Sequence, residues 1–327
     1  MSKAERQRPH EQDEVKRRSN FDPVEENFTP EQAALEASRC LNCKNPLCRK
    51  GCPVSVDIPG FISKVKEGDI QAAGEIIRNS NMLPSVCGRV CPQERQCESK
   101  CVLGIKGDSV AIGALERYVG DNSESKKVEI KENGKKVAIV GSGCAGMSAA
   151  ADLRNAGFEV SVFEALHELG GVLRYGIPPF RLPRTVLDRE IETLKEIGVK
   201  FYKNVIVGKS ITLNQLKEEG YDAIFICSGA GLPKMLGVPG ENLNGVYSAN
   251  EFLTRVNLMH ANDPDTPTPL KVGNKAAIIG GGNVAMDAAR TAVRVGYKEV
   301  YIVYRRTEEE LPARKEELRH AKEEGII

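Results

Sequence analysis

Up to about residue 125 the apolar positions fall at helical spacing; beyond it they gather into short apolar runs separated by amphipathic stretches. In the first part, Thr29, Pro30, Glu31 and Gln32 form a capping-box start with proline at the first helical position, which predicts a helix running into Cys40. Short helices are predicted over 57–66 and 69–78. Residues 123–136 are charged and carry an Asn133-Gly134 turn signal, so they read as a linker or a short hairpin. After them the pattern predicts a strand over 136–140, a helix over 145–156 stopped by Gly157, and a second strand over 159–164. A helix over 184–197 and a buried strand over 223–227 follow. The first unit then recurs, with a strand over 276–279, a helix over 283–295 ended by Gly296, and a strand over 300–304. A repeated strand–helix–strand unit implies two doubly wound α/β domains behind the helical one.

Composition changes this picture little. Of 327 residues, 41% are hydrophobic and 28% charged, enough to bury a sizeable core in two or three domains. A net charge of +1 gives no reason to expect a nucleic acid or a membrane as partner. Residues 1–18 are polar, without the apolar centre of a signal peptide, and no apolar run reaches membrane-spanning length. Ten cysteines and no secretion signal point to a reducing compartment, the cytoplasm, where metal or cluster ligation outweighs disulfides.

Eight of those cysteines lie between Cys40 and Cys101, in two groups. The first is Cys40, Cys43, Cys48 and Cys52, with Pro53 after the last; the second is Cys87, Cys91, Cys97 and Cys101, with Pro92 after Cys91. Three close cysteines and a fourth followed by proline have the shape of a bacterial ferredoxin run, with the middle spacer lengthened. Zinc sites pair short knuckles of similar spacing, which these spacers fit poorly. The pattern therefore predicts iron–sulfur clusters. Cys144 and Cys227 stand apart and read as small core residues. The four histidines form no cluster and are assigned no chemistry.

Gly141, Ser142, Gly143, Cys144, Ala145 and Gly146 follow a strand, open a helix and precede Glu164 at the end of the next strand. In that setting the glycine pattern is a dinucleotide fingerprint: Gly141 for the turn, Gly143 for backbone approach to the pyrophosphate, Gly146 for helix–strand packing. Glu164 would accept hydrogen bonds from the adenosine ribose. The second unit reads Gly280, Gly281, Gly282, Asn283, Val284, Ala285, and its second strand ends in Arg305 and Arg306 where the first has Glu164. A guanidinium there can hold a 2′-phosphate that a carboxylate would repel, so this site is expected to prefer NADPH to NADH, with Arg314 as a further candidate. Solvated surface arginines are the bland alternative.

Both cysteine groups, the stretch GGVLRYGIPPFRLP over 170–183, the Gly280 fingerprint and Tyr304-Arg305-Arg306-Thr307 together resemble the small (β) subunit family of NADPH-dependent glutamate synthase. They are similar also to the large subunit of NADH-dependent ferredoxin:NADP oxidoreductase and to the N-terminal half of dihydropyrimidine dehydrogenase. The resemblance implies a helical domain with two [4Fe-4S] clusters over 1–125, an FAD-binding domain over 126–250 and an NADPH-binding domain over 251–327. It implies Cys40, Cys43, Cys48 and Cys101 as ligands of one cluster. Cys52, Cys91, Cys97 and a non-cysteine ligand, Glu116 of Ile112-Gly-Ala-Leu-Glu116, would hold the other, leaving Cys87 out. It places Val90, Gly171, Val172, Arg181 and Val207, with Ser228-Gly229, beside FAD. Relatives continue past this C-terminus, so the last domain is expected to be truncated.

The implied function is electron input. Hydride from NADPH reaches the flavin, and single electrons leave through the clusters to a partner, with no catalytic acid or base in the chain. The partner would be the glutamate synthase large subunit, for reductive transfer of glutamine amide nitrogen to 2-oxoglutarate. Alternatively it would be the ferredoxin-reductase-like subunit of an electron-bifurcating enzyme. A non-catalytic scaffold is the third possibility.

Overall fold

The computed structural model describes residues 5–125 and 129–327. Its first part is helical: α1 (Pro30–Ser38), α2 (Leu47–Gly51), α3 (Ile58–Glu67), α4 (Ile70–Arg78), α5 (Pro84–Val90) and α6 (Ile112–Asn122). Thr29 caps α1 as its sequence predicts: its side chain accepts from the Gln32 N–H at 3.2 Å, and the Gln32 side chain accepts from the Thr29 N–H at 3.0 Å. The helix stops at Ser38, leaving Cys40 in an irregular turn. Phe61, Ile62, Ile77, Leu115 and Val119 form the centre of this core.

A parallel four-stranded sheet follows, in the order β3-β2-β1-β4. In chain order its elements are β1 (Lys136–Val140), α7 (Cys144–Asn155), β2 (Glu159–Phe163), α8 (Val172–Tyr175), α9 (Arg184–Glu196), β3 (Lys200–Tyr202), α10 (Leu213–Glu218) and β4 (Ala223–Ile226). Strand β1 lies between β2 and β4, with Val137 opposite both Val160 and Ala223. Ile139, Val160, Val162, Met147, Leu187 and Leu194 fill the space between sheet and helices, and Leu83 just before α5 and Val86 within it enter the same core. The last part holds α11 (Ala249–Asn257), β5 (Lys275–Ile279), α12 (Asn283–Arg294), β6 (Glu299–Val303) and α13 (Lys315–Glu323). Strands β5 and β6 pair in parallel, over a core of Leu253, Met286, Ala289 and Val300. Among the described residues no helix is long and apolar enough to cross a membrane.

Three expectations need correction. Strand β4 is not buried: Phe225 is 42% and Ile226 60% exposed, because β4 pairs only with β1 and forms the edge of its sheet. Among the described residues the Asn133-Gly134 turn joins no pair of strands; Asn133 instead ties the entry of β1 to residues 156 and 157 through hydrogen bonds of 3.1 and 2.9 Å. Of that linker, residues 126–128 lie outside the described residues. Cys144 is exposed rather than part of the core, since it begins α7 on the open side of the fingerprint.

Candidate cluster and nucleotide sites

All ten cysteines are free. Cys40 follows the capped end of α1, Cys48 lies in α2, and Cys52 closes α2 with an N–H donated to the Arg49 carbonyl. Arg39 holds the Cys40 turn against the far loop, donating to Glu36 at 2.6 Å and to the Ser109 carbonyl at 3.0 Å. Cys40, Cys43, Cys48 and Cys101 line one cavity, backed by Ile58, Ile62, Val110 and Ile112. Three come from the first sequence group and one from the second. Burial raises the Cys40 thiol, and raises that of Cys48 to about 11; neighbouring cysteines push both the same way. Iron draws such thiols to thiolate, so this donor set in an apolar wall fits a cluster.

The other cysteines meet around α6. Cys91 ends α5 and Cys97 is buried, its thiol raised first by burial and then by Glu98, Glu116, Cys91 and Cys52. Burial raises Cys91 to about 11, with Glu116 and Cys52 adding to it. Glu116 is 9% exposed, accepts from Asn81 Nδ2 at 2.7 Å, and is pushed by burial up to about 7 against that hydrogen bond. Cys87 belongs to this neighbourhood too. Its Sγ donates to Asn81 Oδ1 at 3.5 Å, so Asn81 holds Cys87 and Glu116 together. Sequence reasoning passed over Asn81, whose partners lie 6 and 35 residues away.

At the first fingerprint Gly141 has φ +110°, and a side chain there would press on the Cys227 carbonyl. A Cβ on Gly146 would stand 2.0 Å from the Gly141 carbonyl oxygen, which fixes how closely α7 approaches β1. A Cβ on Gly143 would meet nothing within 4 Å, and the same holds for Gly282 at the second fingerprint. Both therefore leave space before the N-terminus of a twelve-residue helix, which fits a pyrophosphate. Glu164 is 6% exposed and engaged, accepting from the Ser142 N–H at 2.9 Å and hydroxyl at 2.5 Å, and from the Leu166 N–H at 2.9 Å. A carboxylate has lone pairs left for ribose hydroxyls after three such bonds. The Ser142 hydroxyl also accepts from the Gly170 N–H at 3.0 Å, tying the 170–183 stretch to the fingerprint. Gly171 and Val172 then start α8, with Val172 exposed.

The residues expected to join these two sites divide. Val90 packs on the core of the first sheet, whereas Val207 packs with Leu216 and Tyr221 in the separate cluster that includes Ala138 and Phe163. Arg305 and Arg306 are exposed just past β6, Arg306 lying 3.7 Å from Glu310. Asn283 begins α12 and its Oδ1 accepts from the Arg314 N–H at 2.9 Å; Ala145 and Val284 lie in the first turns of their helices. The Arg314 guanidinium does not join Arg305 and Arg306. It donates to the Arg89 carbonyl at 2.9 Å and to Glu316 at 2.6 Å, because α13 packs it against α5. Arg181 likewise turns to the second unit, donating to Asp287 at 2.7 Å and facing Glu317 at 2.8 Å.

Residues 17–128 match the family described as dihydropyrimidine dehydrogenase domain II, 4Fe-4S cluster, and residues 135–326 match the pyridine nucleotide-disulphide oxidoreductase family. The glutamate synthase [NADPH] small chain of Halomonas elongata is 39% identical over 98% of this chain and 69% of its own length. That of Escherichia coli is 39% identical over 95% of this chain and 67% of its own. The chain belongs to the glutamate synthase small-chain family. FprA of Mycobacterium tuberculosis, solved as its His57Gln mutant, is 28% identical over 58% of this chain and 48% of its own, with a TM-score of 0.50. The chain thus spans about two thirds of the small chains and about half of that structure. Members of the small-chain family are NADPH-dependent oxidoreductases with FAD and [4Fe-4S] clusters.

Proposed function

We propose that this small-chain relative is an electron-input subunit, with NADPH at the Gly281–Gly282 site, FAD at the Gly141–Gly146 site and clusters on the two cysteine sets. One observation carries the reading. Leu83 at the N-cap of α5 and Val86 within it enter the core beneath the first sheet, while Cys87 in the same helix and Cys91 at its C-cap belong to the second cysteine set, so one short element joins the flavin fold to that set. FAD there would convert a two-electron donor into a source of single electrons. The chain's own residues position and insulate that transfer.

In this reading Cys52, Cys91, Cys97 and Glu116 hold the inner cluster, and Cys40, Cys43, Cys48 and Cys101 the outer one. Leu41, Leu47 and Ile105 stay exposed near the outer set, beside Lys44, Arg49 and Lys50, which suits delivery to another protein. Glu164 orients the adenosine of FAD, while Arg305 and Arg306 favour a 2′-phosphate. The units are taken as 1–125, 126–250 and 251–327. The setting is cytoplasmic, and the partner is a large chain that transfers glutamine amide nitrogen reductively to 2-oxoglutarate. Affinity capture of the native protein tests the partner. A glutaminase-type large chain is expected; a ferredoxin-reductase-like chain would instead favour a bifurcating enzyme.

A further inference from the structure

The stretch over 175–183 belongs by sequence to the first nucleotide unit but lies on the second. Asn257 of α11 donates to the carbonyls of Tyr175 and Gly176 at 3.2 and 3.3 Å. Phe180 is buried, with the Arg290 and Arg294 guanidinium carbons of α12 at 4.7 and 4.0 Å from its ring centre. Arg181, 5% exposed, reaches Asp287 of α12 at 2.7 Å and Glu317 of α13 at 2.8 Å. Pro183 then leads into α9, back in the first unit. A strap anchored at both ends in one unit is thus fastened along its length to the other.

Asp287 is 2% exposed and sits four residues beyond Asn283, one turn into the helix whose N-terminus forms the second fingerprint. Other charges around this point include Arg290, which donates to Glu317 at 2.6 Å and Glu324 at 2.8 Å, Arg294, which donates to Glu324 at 2.6 Å, and Arg314 and His320 beside Glu317. Removing one partner from so buried a set leaves an uncompensated charge, so the network holds one geometry. The Asp287 side chain turns to Arg181, and no step of the electron path uses it.

We infer that Arg181, through Asp287 and Glu317, is a positioning residue that sets the orientation of the nicotinamide unit against the flavin unit for hydride transfer. The inference rests on the proposed FAD and NADPH sites. Hydride transfer oxidises NADPH to NADP+ and reduces the flavin by the same two electrons, and its rate depends steeply on the alignment of donor and acceptor. With the strap loosened, each site still binds its nucleotide, but the two meet less often in a reactive pose.

The test compares the cofactor-loaded parent protein with Asp287→Asn and Glu317→Gln. Asp287→Asn preserves shape and one acceptor for Arg181; Glu317→Gln serves if the first fails to fold. In anaerobic stopped flow, the limiting rate of flavin reduction at saturating NADPH is expected to fall about tenfold. Flavin content and half-saturating NADPH should stay within about twofold, a split that general loss of structure would not produce. Hydrogen–deuterium exchange without added nucleotide should be faster over 175–183 and α13 but unchanged over α7. A limiting rate equal to the parent's, or unchanged exchange over 175–183, overturns the inference. If NADPH fails to reduce the parent's flavin, the assignment of the two sites is wrong instead, and exchange alone decides whether the strap fastens the units.

Discussion

Glu116 and Cys87 stand side by side at the inner cysteine set, and they differ in what they can offer iron. Cys87 has its thiol raised by burial, with Glu116 and Cys91 adding to it, and its sulfur is turned to Asn81. Glu116, pushed by burial up to about 7, ionises far more readily. Replacing Glu116 by alanine should therefore lower iron from about eight per chain towards about four, while Cys87→Ser leaves it near the parent value; elemental analysis decides. At the other end of the chain, Arg305→Glu should raise half-saturating NADPH about tenfold, the loss of one charge-assisted hydrogen bond, with little change for NADH in steady-state kinetics. Cysteines and fingerprint glycines were legible because their spacing within a short segment is itself the signal. Asn81, Phe180 and Asp287 were not, because the contacts that matter, to Glu116, to α12 and to Arg181, lie 35 or more residues away in sequence. The expectation for Arg181 concerned FAD, and its ion pairs with α12 and α13 had no sequence signal.

Helices α12 and α13 show what those distant contacts do at the scale of elements. Against burial, Arg181 and Arg290 hold Glu317 down to about 2, and Arg294 and Arg290 do the same for Glu324. Carboxylates with lowered folded values add stability that is present above their ordinary 4.5 and lost as pH falls towards about 2. Calorimetry should therefore show a melting temperature falling between pH 5 and 3, with each group worth on the order of 3 kcal/mol and Glu324→Gln flattening the slope. Glu25 works in the other direction: burial and then Glu316 raise it to about 8, so stability falls as pH rises from its ordinary 4.5 towards that value. Strand and helix positions in the two nucleotide units could be read within a residue or two from apolar runs and glycine stops. The short β3 and the Glu- and Lys-rich α13 were missed, since β3 has only three residues and α13 few apolar ones. The apolar run of β4 gave its type but not its exposure, because burial depends on which strands flank it.

Across the whole molecule, the three units are not simply strung in order. Arg17 of the N-terminal segment is fully buried between Glu11, Glu323 and Glu324, so the start of the chain closes on its last helix. Helix α5 joins the helical part to the first nucleotide unit, and the 175–183 strap joins that unit to the second. These crossings keep the proposed donor, converter and cluster sites in one body, as a relay needs. Anaerobic titration of the loaded protein with NADPH, followed by absorbance and by electron paramagnetic resonance, tests that relay most directly. The account predicts that flavin and cluster absorbance bleach together as NADPH is added. A flavin that is fully reduced while the clusters stay oxidised, even with an electron acceptor present, would contradict it.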